Sequence, residues 1–175
     1  MGLGETDVGG GVSVGAAEEG EEVKKTLALK RLEERWREFG ESLEGLPDAA
    51  LTGGAIVGEW TARDLMAHVT TWEEETLKLL PVILKGRRTP KYSALYGGVD
   101  AFNAQSHERK WGMELEEVRR QMEGTHRRLV GYLEGVAEEV FEGNERFVRR
   151  LRLDTYGHYR EHAEHIREWH ERRGS

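Results

Sequence analysis

Apolar residues recur at steps of three and four along most of the chain, which is the spacing of helices with one buried face. The first helix is predicted over residues 18–43. Its apolar stripe consists of Leu29, Leu32, Trp36, Phe39 and Leu43. Residues 45–60 contain Pro47 and several glycines, so we predict a loop that lies over the end of the helices.

The second helix has a well-marked start. Thr61 can cap it, and Asp64 follows three residues later, as in a capping box with Asp in place of Glu. Trp60 precedes the cap and can pack on Leu65 as a hydrophobic staple. Pro81 lacks a backbone donor, so we expect the helix to kink or to restart there.

The third helical region is predicted to begin at Val99, after a polar and aromatic loop over residues 86–98. Gly112 interrupts it, and helical spacing resumes over residues 115–136.

The last helix is predicted to begin at Asp154, which can cap it, and to end by Gly174. Residues 138–153 have a less regular pattern and are interpreted as a connection. Four principal helices without a strand pair indicate an all-α fold, a four-helix bundle with at least one long connection.

The domain organisation follows from the N-terminal composition. Residues 1–17 are rich in glycine and poor in large apolar side chains, so we predict a disordered acidic tail. Residues 18–175 are predicted to form one bundle domain.

Charge and cysteine content exclude several classes of function. Residues 1–22 contain six acidic and no basic residues, and removing these six from the total of 33 leaves 27 against 26 basic residues. A nearly neutral domain argues against a nucleic-acid surface. We expect a cytoplasmic protein with no membrane contact, because the sequence has neither a signal peptide nor an apolar stretch of ~20 residues. The absence of cysteine excludes disulfides, thiolate metal sites and a cysteine nucleophile.

Three histidines of the last helix are candidates for chemistry. With His158 at zero on a helical wheel, His162 lies at about 40° and His165 at about −20°. The apolar residues of this helix spread over roughly 20° to 140°. His158 and His162 therefore point into the bundle together, whereas His165 is expected to be solvated.

Two histidines one turn apart can bind one divalent ion, and zinc and nickel are the ions that we expect at imidazole ligands. A third ligand must come from another element, and His68 on the second helix is the best candidate. Three protein ligands leave a position for water or substrate. The alternative is that some of the seven histidines fall at this spacing by chance. His107, His126 and His170 are interpreted as surface or packing residues.

Three stretches also resemble a known family. Residues 60–68, WTARDLMAH, followed by Trp72 and Glu73, resemble the second-helix signature of the DinB-like four-helix bundle superfamily. Residues 99–103, VDAFN, and 154–162, DTYGHYREH, resemble its ClbS/DfsB branch. This resemblance implies an up-down bundle and a homodimer. In metal-binding relatives the positions of His68, His158 and His162 hold a divalent ion.

The resemblance implies an enzyme of hydrolase or thiol-transferase type that acts on a small electrophilic molecule in detoxification or stress protection. Trp72, Tyr96, Asn103 and Tyr159 are the predicted walls of the substrate pocket, and no catalytic residue is predicted. The first alternative is a metal-free protein, similar to ClbS, that binds or opens a reactive natural product. The second alternative is a non-catalytic helical binding module.

Overall fold

The computed structural model describes residues 24–174, and the predicted tail and the predicted helix start at residue 18 lie outside this range. The described residues form nine α-helices. They are α1 Lys24–Leu43, α2 Asp48–Thr52, α3 Ala62–Leu84, α4 Tyr92–Leu95, α5 Val99–Lys110, α6 Leu115–Glu134, α7 Glu138–Gly143, α8 Glu145–Asp154 and α9 Tyr156–Gly174.

Helices α1, α3, α6 and α9 are the long members of the bundle. Helix α1 packs on α9, and α3 packs on both α6 and α8. Their apolar stripes meet in one core, in which Leu32, Phe39, Leu65 and Ile166 are almost completely buried. Residues 24–174 contain no strand apart from an isolated bridge between Val57 and Trp60. The predicted all-α bundle is therefore confirmed.

Helix α3 begins with the predicted capping box. The Asp64 amide donates to Oγ1 of Thr61 at 3.2 Å, and the Thr61 amide donates to Oδ2 of Asp64 at 2.9 Å. Pro81 lies within the helix, which continues to Leu84 without the expected restart. Pro81 removes one backbone hydrogen bond from the helix, and only three residues of α3 follow it.

The segment before the last helix corrects the sequence-based interpretation. Residues 138–153 belong to helices α7 and α8 instead of an irregular connection. Oδ1 of Asn144 accepts the Phe147 amide at 3.0 Å, and Phe147 and Leu151 bury one face of α8. Asp154 ends α8 and does not cap the last helix, because the chain turns at Thr155, where φ is −124° and ψ is −99°.

The two predicted loops contain the short helices α2 and α4, so all three connections between the long helices carry helices of their own. Helices α4 and α5 together lie between α3 and α6 in the chain, and α7 and α8 lie between α6 and α9. Within residues 24–174, no helix is long and apolar enough to cross a lipid bilayer.

Candidate metal centre

A pocket of about 850 Å³ opens beside the start of the last helix. Its floor and walls come from the loop before α3 and from helices α3, α4, α5, α8 and α9. His68, His158 and His162 all line it.

The three imidazoles converge within this pocket. Nε2 of His158 lies 2.9 Å from Nε2 of His68 and 2.8 Å from Nε2 of His162. One nitrogen of each residue lies within 4.8 Å of the others. His158 and His162 project from successive turns of α9, and His68 faces them from α3. The structure therefore brings together the three histidines that the sequence singled out.

Burial keeps these histidines neutral. It lowers the pKa of His158 to about 4. Burial, together with repulsion from His158, lowers the pKa of His68 to about 2 and that of His162 to about 3. Neutral imidazole is the form that binds a metal ion, so the cluster is in the ligating state at neutral pH.

The donor set fits a divalent transition metal. Zinc binds imidazole nitrogen at about 2.0–2.1 Å, which requires tetrahedral ligands to stand about 3.4 Å apart. The observed separations of 2.9 Å and 2.8 Å reach this value with small side-chain movements. An all-nitrogen set of this kind suits zinc or nickel better than magnesium or calcium, which prefer oxygen ligands.

The close junction between α8 and α9 positions His158. A Cβ on Gly157 would lie 2.9 Å from the carbonyl oxygen of Arg152, so only glycine fits there without a shift. The Tyr159 amide donates to the carbonyl of Thr155 at 2.8 Å, which starts α9 directly after the turn. His158 is thereby held in the first turn of α9, at the pocket.

The neighbours of the triad are mainly rings. Trp60 packs edge-on against His68, with ring centroids 4.8 Å apart. Nδ1 of His165 lies 3.4 Å from Nδ1 of His162, on the side away from the ligating nitrogen. His165, predicted to be solvated, is therefore half-buried beside the triad. A hydrogen bond to the second ring nitrogen is a common way to orient a ligating histidine.

The predicted pocket walls divide into two groups. Trp72 and Asn103 line the pocket, and the Trp72 indole donates to Oδ1 of Asn103 at 3.1 Å. Tyr96 packs on Tyr92 outside the pocket lining. Tyr159 is completely buried in the core, because its place on α9 faces α1 and α3.

Sequence reasoning missed a polar group on the pocket wall. Nε of Arg150 lies 2.6 Å from Oδ2 of Asp154, and Nη2 of Arg150 donates to the Tyr92 hydroxyl at 2.8 Å. That hydroxyl donates to Oε2 of Glu75, also at 2.8 Å. The spacing of Arg150 and Asp154 at i and i+4 would have indicated the pair if this segment had been recognised as a helix.

The Asp154 carboxyl gives a pH-dependent prediction. Burial raises the pKa of Asp154 from 3.8 to about 6, although Arg150 opposes the shift. A raised pKa in the folded state means stability that is present below the unfolded pKa and is lost as the pH rises to about 6. As the pH rises from 3.8 to about 6, the free energy of unfolding of the metal-free protein should therefore fall by roughly 3 kcal/mol relative to that of Asp154→Asn. Urea titrations of both proteins at several pH values measure this difference, and a constant difference would contradict it.

A second polar cluster lies in the core, where four helices meet. Nδ1 of His126 lies 2.7 Å from Oε1 of Glu73, and the Tyr159 hydroxyl donates to the same oxygen in a short hydrogen bond. Trp36 stacks on the His126 ring with centroids 3.8 Å apart. These four residues come from α3, α6, α9 and α1. His126 is thus a buried packing residue, whereas His107 lines the pocket and stacks on Trp60.

The sequence model of the DinB superfamily matches residues 31–170. The chain belongs to the DinB superfamily. No curated protein sequence matches this DinB-superfamily chain.

Two solved structures have the same fold. One, titled "Sibling Lethal Factor Precursor - DfsB", has a TM-score of 0.70 at 16% identity and covers 85% of this chain and 96% of its own. The other is an uncharacterised protein from Escherichia coli UTI89, with a TM-score of 0.69 at 15% identity, and it covers 86% of this chain and 94% of its own. At these identities the likeness shows a shared fold.

Proposed function

We propose that this DinB-superfamily protein is a metal-dependent enzyme that acts on a small electrophilic molecule. His68, His158 and His162 hold a divalent ion, zinc or nickel, at the floor of the pocket. The reaction is a hydrolysis or the transfer of a small thiol, and its role is detoxification or protection against stress.

The observation that carries the proposal is the convergence on one point of three imidazole nitrogens, from buried His68 and His162 and half-buried His158. Hydrogen bonding explains this arrangement poorly, because Nε2 of His158 faces two other nitrogens and can donate only one proton. A cation shared by the three rings satisfies all three nitrogens at once. A bound divalent ion would supply Lewis acidity to the electrophile or to a thiol.

The pocket gives the ion access to substrate. The triad lines an open pocket, so three protein ligands leave the remaining coordination positions facing the cavity. Trp72 and Asn103 form part of the wall beside the histidines. Their hydrogen bond holds the Asn103 side chain in one orientation, in which its amide is available to a polar group of the substrate.

An activity assay tests the proposal. Zinc-loaded, nickel-loaded and chelator-treated protein should be compared on a panel of epoxides and activated esters, with and without a small thiol. Turnover should require metal and should be lost in His68→Ala. His170→Ala, which changes an exposed histidine of α9, should retain it. Metal-independent turnover would overturn the metal-dependent enzyme.

A metal-free protective protein is the second candidate, and the polar wall of the pocket favours it. Arg150 forms an ion pair with Asp154 and donates to the Tyr92 hydroxyl, so these three side chains need no bound ion to be held in place. Such a protein would bind or open a reactive natural product with these side chains. Its activity would survive chelation and would fall in Arg150→Met, which is the opposite of the pattern expected for the metal enzyme.

The proposed ion should stay bound in mild acid. An exposed histidine takes up a proton near pH 6.5. Burial lowers the pKa of all three ligands, and His158 keeps the highest of the three values, about 4. Proton competition should therefore release zinc well below pH 6.5. Dialysis against a zinc indicator at successive pH values measures this, and half-release at pH 6.5 would contradict the assigned ligands.

The homodimer also stays a proposal. Exposed apolar side chains lie next to α5, among them Leu95 and Trp111, and could be covered by a second copy. Sedimentation velocity should then give twice the mass of the chain, and a monomer at all concentrations would exclude the dimer.

A further inference from the structure

The mouth of the pocket carries charge of one sign. Glu59, Asp100 and Glu161 line it, and all three are exposed. They come from the loop before α3, from α5 and from α9, so they approach the opening from three separate elements. Among residues 24–174, no lysine, arginine or histidine forms an ion pair with any of them.

The cationic side chain of the pocket does not balance this charge. Arg150 is the one lysine or arginine that lines the pocket in the described part of the chain. Its Nε lies 2.6 Å from Oδ2 of Asp154, so these two charges compensate each other. The imidazoles of His68, His158 and His162 add no formal charge in the neutral form that binds a metal ion.

The remaining formal charge of the pocket is therefore that of its three acidic residues. A divalent ion at the triad would offset two of these charges and leave the pocket negative by one. Opposite charges attract over the dimensions of such a cavity, even in partly solvated surroundings, and like charges are repelled. An anionic substrate, including a thiol that carries several carboxylates, is disfavoured by this arrangement.

The walls add a second feature that suits a cation. Trp60 and Trp72 line the pocket, whereas the Tyr92 ring already faces the guanidinium carbon of Arg150 at 5.4 Å. Aromatic rings attract a positive charge placed within about 6 Å of the ring centre. Val99 and Leu153, both about half exposed, add apolar surface at the mouth. The buried imidazoles of His68 and His162 lie in the same cavity, which independently marks it as a place where a ligand binds.

We propose that the substrate of this pocket is a small amphiphilic molecule that carries a positively charged amine or ammonium group. The acidic mouth and the aromatic wall bind the ammonium group, and Val99 and Leu153 contact its apolar part. The proposal rests on the proposed function for the identity of the pocket as the substrate site. The charge preference itself does not require metal.

A pair of isosteric probes tests the charge preference. Choline and dimethylbutanol have the same shape, but the second has a neutral quaternary carbon in place of nitrogen. Binding to the full chain can be followed by NMR shifts of the Trp60 and Trp72 indoles, at low salt because salt screens exposed charges. Choline should bind to metal-free protein at least about fivefold more tightly than dimethylbutanol does, and this preference should be smaller after zinc loading.

Matched variants locate the source of the preference. Replacing Glu59, Asp100 and Glu161 with their amides should abolish it. A control with the same change in net charge replaces the exposed residues Glu108, Glu142 and Glu168 with glutamine and should retain it. Equal binding of the two probes, no binding of choline, or a preference that survives in the pocket variant would each overturn the proposal.

Metal content separates this proposal from the proposed function. Protein that binds no zinc but prefers choline refutes the metal-dependent enzyme and supports the cationic ligand. Protein that binds zinc at the triad but prefers the neutral probe refutes the cationic ligand and leaves the metal-dependent enzyme in place.

Discussion

Replacement of His162 by alanine is expected to lower the affinity for zinc by about a hundredfold or more, because changes that leave every ligand in place already cost about 10–100-fold. The wild-type protein should gain about 2.7 kcal/mol of stability when free zinc exceeds its dissociation constant a hundredfold. The variant should gain almost none at the same concentration. Thermal unfolding with and without zinc, together with metal analysis, measures both effects.

The control for this experiment is another histidine of α9. His170 is exposed and lies outside the pocket lining, so His170→Ala should bind zinc as the wild-type protein does. A stoichiometric ion retained by His162→Ala, with unchanged affinity, would mean that the three converging imidazoles are not the ligands. Equal losses of zinc affinity in His162→Ala and His170→Ala would also mean that the triad does not bind the ion.

Removal of the Glu73 carboxylate should cost the largest amount of folding free energy, roughly 3–5 kcal/mol for Glu73→Ala. Glu73 is fully buried, and one of its oxygens binds both His126 and Tyr159. Its loss leaves two buried polar groups without a partner and opens a cavity between the helices. Urea denaturation gives the difference in the free energy of unfolding.

The adjacent glutamate provides a matched control. Glu74 is partly exposed and pairs with Lys110 at 3.2 Å, so Glu74→Ala should change stability by about 1 kcal/mol or less. Glu73→Gln keeps a hydrogen-bond acceptor at the same place and should lose less than Glu73→Ala. Similar stabilities for the Glu73→Ala and Glu74→Ala proteins would show that the buried cluster does not stabilise the bundle.

Much of the fold could be predicted from the spacing of apolar residues, because each long helix buries one continuous stripe. Helix α8 was missed, although Phe147 and Leu151 have helical spacing and are buried. The segment is short, and its several arginines obscured the apolar stripe. Because α8 was missed, Asp154 was predicted to start the last helix, whereas it ends α8.

The histidine triad could be predicted, whereas its surroundings could not. His158 and His162 share one helix, so their relation follows from helical geometry. The pairing of Glu73 with His126 and Tyr159 joins three helices, and no local pattern shows which polar residues will meet across a core. Tyr159 was predicted to line the pocket but is buried in the core, since adjacent helical residues such as His158 and Tyr159 point in different directions.

X-ray absorption fine structure at the zinc edge of the loaded protein is the most direct measurement of the metal centre. The spectrum should show three imidazole nitrogens at about 2.0–2.1 Å. In His162→Ala, any ion that remains should show two. A coordination shell made of oxygen, or one that His162→Ala leaves unchanged, would contradict a metal centre formed by His68, His158 and His162.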